Sequence, residues 1–224
     1  MTATAMAATN GPTQSPEAIG LYANGTLVSV ANIPDQTSVG TNSATNVNAG
    51  ILTAGALNVG VVSVNYSYAT AANITALTGL TGNPVTGIAA TAVSAYCVTA
   101  GPADFSESYV NLVGLTINGV SPASASPGPN TTLINTAALT VTLNQQIAGP
   151  VANSWTVNAV NIDLNLLGID IVLASATCGP YTAGQATALA SGKGLGIGLG
   201  AVGLLGGAAA TVYVRRRRNA LSAI

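Results

Sequence analysis

Histidine is absent from all 224 residues, and this removes most side-chain chemistry at once. Ser-His-Asp and Cys-His nucleophiles, imidazole acid–base work and His-ligated metals all need it. Lysine occurs only at Lys193, so the first 192 residues offer no amine for Schiff-base or pyridoxal chemistry. Two cysteines, Cys97 and Cys178, are too few for a thiolate zinc site. No P-loop or dinucleotide fingerprint is present. The glycines at 194, 196, 198 and 200 lie inside an apolar run rather than after a strand.

Carboxylates remain. Asp104 and Glu107 stand three apart beside Gly101-Pro102. Asp163 alternates with Asn161 and Asn165 along one predicted strand face, and Asp170 follows Gly168. Glu17 and Asp35 complete the six acids. A carboxylate pair can hydrolyse glycosides, and clustered oxygens can hold Ca²⁺. The plainer alternative is solvated acids that keep the surface soluble, and composition favours it. A glycosidase cleft usually carries aromatic platforms, whereas this body offers Trp155, Phe105 and scattered tyrosines, with Trp155 expected in the core. The expectation is therefore a non-enzymatic protein without catalytic residues, cofactor or metal.

The charges are segregated. All six acids lie within residues 1–192 and all five bases within 193–224, giving −6 and +5 against −1 overall. A body without cations cannot grip phosphate electrostatically, so nucleic acid is not an expected partner. From Gly194 to Val214 run 21 uncharged residues, about 31 Å as a helix, followed by Arg215, Arg216, Arg217 and Arg218. This pattern predicts a transmembrane helix over 194–214 with a cytoplasmic basic tail, 215–224, because Lys/Arg clusters stay inside. The seven glycines of the span would weaken a soluble helix but suit close helix packing in lipid. Gly196/Gly200 and Gly203/Gly207 offer GxxxG self-association. Tyr213 falls at headgroup level. A nuclear role for the arginines, or a sortase-type tail without an LPxTG-like motif, competes with this reading.

The body is then expected outside the cell. That setting favours a Cys97–Cys178 disulfide over two buried thiols, closing a loop of about 80 residues. Residues 1–18 are a small, polar leader with Pro12 and Pro16 and no signal-peptide pattern. Export predicts a signal upstream of them. Asn24, Asn65, Asn73 and Asn130 begin glycosylation sequons of the kind that a Thr- and Asn-rich chain produces by chance.

From Ile19 to Pro180 the apolar residues alternate with polar ones, punctuated by Asn24-Gly25, Asn118-Gly119 and Gly-Pro steps. Strand material is expected at 19–30, 51–70, 73–80 and 85–100. Further strands are expected at 105–120, 131–135, 139–147, 155–167 and 169–178. Residues 31–50 form a polar excursion. Near the end, Thr156, Asn158 and Val160 are expected to oppose Val157, Ala159 and Asn161. No segment before residue 190 has capped helical periodicity. The pattern predicts an all-β domain over 19–180, most simply an antiparallel β-sandwich, with a β-solenoid as the alternative. Residues 181–193 form a juxtamembrane spacer.

The segments TAVSAYC (91–97), GLTINGV (114–120), PNTT (129–132), TLNQQ (142–146), WTVNAVNIDLN (155–165) and IDIVLASATCGP (169–180) resemble, in this order, the actinobacterial choice-of-anchor P surface proteins. The resemblance spans roughly residues 19–180. It implies an exported domain displayed at the surface, with Gly194–Arg218 as this chain's anchor, and it carries over no activity and no catalytic residues. The combined expectation is a single-pass cell-membrane protein with most of its chain extracellular. Its role would be structural or adhesive, towards a cell-envelope or extracellular ligand. A surface module binding calcium or glycan is the second reading, and a surface hydrolase the third.

Overall fold

The computed structural model describes residues 16–25, 29–48, 52–76, 87–99, 107–149 and 153–180. The predicted span 194–214, Lys193, Arg215, Arg216, Arg217 and Arg218 lie outside them. So do Asp104 and most of the predicted leader. Among the described residues no helix is long and apolar enough to cross a membrane.

The described residues form twelve strands: β1 (Glu17–Asn24), β2 (Ser29–Gln36), β3 (Gly40–Asn48), β4 (Leu52–Ser63), β5 (Tyr66–Ala76) and β6 (Ile88–Val98), then β7 (Tyr109–Val113), β8 (Thr116–Ile117), β9 (Thr131–Asn135), β10 (Thr140–Ala148), β11 (Trp155–Leu164) and β12 (Ile169–Cys178). Every pairing among them is antiparallel. Sheet I has the order β2-β1-β12-β11-β10-β9. Sheet II has the order β3-β4-β5-β6-β7, with β8 continuing beside β6. The two sheets share one apolar core, from Leu21, Leu143, Val160, Ile162, Ile171 and Leu173 on one side to Leu57, Val59, Ile74, Val93, Leu112 and Ile117 on the other. This is a β-sandwich, and its antiparallel pairing excludes the β-solenoid alternative for these residues.

Several boundaries differ from expectation. The run 51–70 does not continue as one strand. It turns at Val64-Asn65, where neither Gly nor Pro marks the break, and the second half joins 73–76 to make β5. The polar excursion 31–50, for which short edge strands or a loop were the expected alternatives, holds edge strands: the end of β2 and the exposed β3. Strand β1 starts at Glu17, two residues before the alternation was expected to begin. The Asn118-Gly119 turn forms as predicted. Both residues have positive φ, 52° and 75°, and Ile117 and Val120 exchange N–H···O bonds of 2.9 and 2.8 Å. These are the features of a two-residue hairpin whose twist matches its strands.

A larger departure concerns strand faces. At one level of each sheet the register skips a rung on strand after strand, and the skipped residues line up across the sheet. In sheet I the row is Pro34, Gly20, Ala174, Ala159 and Asn144; in sheet II it is Asn46, Gly55, Asn73, Thr91 and Gly114. Alternate members have left-handed backbones, with φ of 55° at Ala174, 49° at Asn144, 53° at Asn46, 52° at Asn73 and 62° at Gly114. Across each row the buried side chains step by three residues instead of two. Ala18 is followed by Leu21, Ala54 by Leu57, Ala71 by Ile74, Ala90 by Val93, Leu112 by Leu115 and Val157 by Val160. The expected opposition of Val160 to Val157 is therefore corrected: both face the core. A strict period of two holds only while every residue stays in the extended region, and one left-handed residue reverses the pleat.

The two expected cysteines form the disulfide. Cys97 on β6 and Cys178 on β12 are bridged with Cα atoms 5.6 Å apart, and both are fully buried. The bridge ties a central strand of sheet II to one of sheet I. Around it, Ser67 Oγ donates to the Thr177 carbonyl at 2.8 Å, and Gly179 N–H donates to the Val64 carbonyl at 2.6 Å. Cys97 Sγ lies 3.3 Å from the Trp155 carbonyl oxygen; lacking a proton in the disulfide, it makes a contact rather than a hydrogen bond. Trp155 is half-buried and packs on the core, as expected.

Candidate functional site

Strands β11 and β12 are joined by the short connection Asn165–Gly168, with Gly168 at φ 57°. So short a loop fixes the register: Leu164 pairs with Ile169 and Asp163 with Asp170. On the other side of β12, Asp170 pairs with Asn24 of β1. The outward row is thus Asn24, Asp170, Asp163, Thr140. The neighbouring row holds Tyr22, Val172, Asn161 and Thr142. The sequence suggested Asp163 and Asn161 as face-mates and left Asp170 apart. The structure puts all three together. Asn165 sits in the turn instead, where its Nδ2 donates to Thr140 Oγ1 at 3.2 Å.

Directly opposed like charges on adjacent strands repel. Here Asn161 Nδ2 donates to Asp170 Oδ1 at 2.8 Å. Asn161 is only 5% exposed, and its Oδ1 is buried without a hydrogen-bond partner. A cleft of about 220 Å³ opens beside the pair, lined by Tyr22, Asn24, Asp163, Asn165, Gly168 and Asp170 among others. Burial, then the charge of Asp163, pushes the Asp170 carboxyl up to about 6, although the Asn161 hydrogen bond opposes the shift. Burial also raises Asp163 above its ordinary value. The described residues contain no Lys, Arg or His to offset either charge.

The folded state therefore holds a proton on Asp170 more tightly than the unfolded chain. Its contribution favours folding below the ordinary carboxylate value and is lost as pH rises through about 6. The ionisable groups facing Asp170 are Asp163 on β11 and Tyr22 on β1. In metal-free buffer, Asp170→Asn is expected to stabilise the protein by about 2 kcal/mol at pH 7.5, after allowance for the exposed part of the group. At pH 3.5 it should be neutral. Urea unfolding at the two pH values measures this, and an equal effect at both would contradict the assigned cause.

The other acids do not join the pair. Glu107 is exposed at a turn. Asp35 lies on the edge strand β2, with one buried oxygen, Oδ1, lacking a partner. Glu17 is buried on β1. Among the described residues no three His, Cys, Asp or Glu side chains cluster as a metal site would require. Of the sequons, Asn65 is buried, Asn73 is exposed, and Asn130 uses its Oδ1 to accept Gln146 N–H at 2.9 Å.

A second feature escaped the sequence reading. Tyr68, Tyr96 and Tyr109 stand in one row across the outer face of β5, β6 and β7. Tyr96 and Tyr109 stack with centroids 4.5 Å apart, while Tyr66 lies 6.2 Å from Tyr68. The Tyr68 ring extends over Gly60, where an added Cβ would come within 2.5 Å of Cε1. A side chain at position 60 would lift the ring off β4. Burial, then the neighbouring phenols, raises Tyr66; burial, then Tyr96, raises Tyr109. The signal available was that Tyr68, Tyr96 and Tyr109 all lie on strands that become consecutive, but only the register aligns them. The chain matches no protein-family model, no curated protein and no solved structure.

Proposed function

We propose that this is a non-catalytic surface-display protein: an extracellular β-sandwich held to the cell membrane by residues 194–214, with Arg215–Arg218 on the cytoplasmic side. The observation that carries this reading is the buried Cys97–Cys178 bridge joining the two sheets. Such structural disulfides form and persist in oxidising compartments. The cation-free body and the apolar run ended by four arginines support the same orientation. So does the resemblance to the choice-of-anchor P proteins. The role is structural or adhesive.

A binding role is the second reading, favoured by the cleft beside Asp163 and Asp170. Hydrolysis draws no support from that pair. The two carboxylates stand side by side on one sheet face, whereas a glycosidase pair flanks the scissile bond from opposite sides.

Protease shaving of intact cells producing the chain tests the proposal. Peptides from the sandwich should be released with Cys97 and Cys178 still linked, and peptides beyond Arg218 should appear only after lysis. Full-length protein in the soluble cytosolic fraction, with both thiols reduced, would sink it.

A further inference from the structure

The strands of sheet II, β3 to β8, contain no Asp, Glu, Lys or Arg. Two rows cross the outer face of this uncharged sheet. One reads Gly60, Tyr68, Tyr96, Tyr109, and the next reads Asn58, Thr70, Ser94, Asn111. Because Gly60 has no side chain, the Tyr68 ring lies across β4, with Cε1, Cζ and Oη 2.5–2.7 Å from where a Cβ would stand. Tyr96 is 7% exposed; it fills the middle of the row and stacks on Tyr109 at 4.5 Å and 15°. One face of Tyr109 is thereby taken, and its 47% exposure belongs to the other face and the ring edge. Two partly open phenol rings, Tyr68 and Tyr109, thus stand two strands apart, about 10 Å. Each has an amide alongside: half-buried Asn58 lies two residues from Gly60, and exposed Asn111 lies two residues from Tyr109. Between these amides the Thr70 and Ser94 hydroxyls bond each other at 3.1 Å.

Aromatic faces bordered by neutral amides are the chemistry that holds a sugar. The face of a phenol ring is weakly negative and attracts the C–H face of a pyranose, and an amide beside it both donates to and accepts from the hydroxyls at the sugar's rim. A sheet without formal charge has nothing to hold a phosphate, a carboxylate or an ammonium group, so the complementary ligand is itself uncharged. We infer that the outer face of sheet II binds an extended, uncharged β-linked glycan laid across its strands, with one sugar ring on Tyr109 and the next ring but one on Tyr68. In a flat twofold glycan ribbon every second ring turns the same face to the protein, and two ring lengths match two strand spacings of about 10 Å. Tyr96 and the bonded Thr70–Ser94 pair form the floor under the intervening ring. A protein partner fits less well, because Thr, Ser and Asn break the apolar area that the core of such an interface needs. The inference gives the adhesive reading above a ligand class and rests on that reading only for its setting. Binding is measured on purified protein, so losing the membrane anchor would leave it standing.

Full-length protein, in a detergent without a sugar headgroup, is titrated by calorimetry with cellohexaose, chitohexaose and cellobiose. Saturable hexaose binding that high salt leaves unchanged supports the site, and the two hexaoses show whether plain or N-acetylated rings are preferred. Cellobiose reaches only one platform and should bind about tenfold more weakly. Tyr109→Ala removes one stacked ring and should weaken hexaose binding about tenfold, whereas Tyr109→Phe should retain it. Tyr109 is half exposed, so both variants should melt with the wild type. Gly60→Ala keeps every tyrosine but displaces the Tyr68 ring, and it should erase the gain in affinity from cellobiose to cellohexaose. Tyr22→Ala, in the cleft on sheet I, is the control and should leave binding unchanged. Four results would overturn the inference. The first is no saturable binding of either hexaose up to about 10 mM. The second is unchanged affinity in Tyr109→Ala. The third is binding lost in Tyr22→Ala, which moves the ligand to the cleft. The fourth is self-association, read by sedimentation, that Tyr109→Ala abolishes while no hexaose binds, which makes this face an interface between copies.

Discussion

Replacing both cysteines, as Cys97→Ala/Cys178→Ala, is expected to lower the melting temperature by about 10–15 °C. The bridge spans a sequence separation of 81 residues. In the chain-entropy account a loop of that size contributes about 4.5 kcal/mol by restricting the unfolded chain. For a domain of this size each kcal/mol shifts the midpoint by about 2–4 °C. The position of the bridge adds a native-state reason for the same sign. It links β6 to β12, both internal strands of their sheets. Without it, inter-sheet attachment at that end depends on apolar packing and on the Ser67–Thr177 and Gly179–Val64 hydrogen bonds. Calorimetry of oxidised, reduced and double-alanine protein checks the magnitude. Reduction offers a further check, because both cysteines are 0% exposed. Dithiothreitol should open the bridge no faster than the surrounding structure opens. A shift under 3 °C, or thiols that titrate in the native protein, would remove the bridge from its assigned role.

Much of this framework was legible in the sequence because it rests on local signals. Strands 131–135 and 169–178 have the bounds that alternation and turn residues suggested. Asn118-Gly119 turns as its left-handed preference requires. The disulfide followed from cysteine count and expected compartment. What was hidden depends on register. The local mark of a chain reversal at Val64-Asn65 is weak, since Asn65 is the one turn-favouring residue there and neither Gly nor Pro accompanies it. The pleat reversal is equally silent, because Asn46, Asn73, Asn144 and Ala174 reach positive φ only where neighbouring strands reverse at the same row. The site was half legible. Asp163 and Asp170 fell on two strands expected to adjoin, but a first strand running to Leu167 with its hinge at Gly168 does not oppose them; the strand ends at Leu164, and the Asn165–Gly168 turn then sets Asp163 against Asp170. The tyrosine row could not be inferred, because its alignment depends on three strands adopting one register.

The sharpest single-residue test of the fold is Gly179→Ala, expected to cost about 4 kcal/mol. Gly179 follows Cys178 and adopts φ 91°, a conformation that side-chain-bearing residues rarely tolerate. An added Cβ would collide with the Asn153 carbonyl oxygen and lie 2.7 Å from Ser154 Cα. Both are backbone atoms held in the β10–β11 connection, where Gly149 N–H bonds the Ser154 carbonyl at 2.9 Å. Neither can rotate away as a side chain could. Backbone strain of about 1–3 kcal/mol and overpacking of about 1–3 kcal/mol act together at this position. Relief would require Gly179 to move, which would break its 2.6 Å bond to Val64 and pull on the adjacent disulfide. Gly168→Ala provides the comparison. That residue also has positive φ, 57°, but nothing lies within 4 Å of its added Cβ, so only the left-handed penalty of about 1 kcal/mol applies. Denaturant unfolding of both variants separates crowding from backbone preference. The expected order is a Gly179→Ala loss several times that of Gly168→Ala, and equal losses would show that the chain around Asn153 and Ser154 yields where the packing says it cannot.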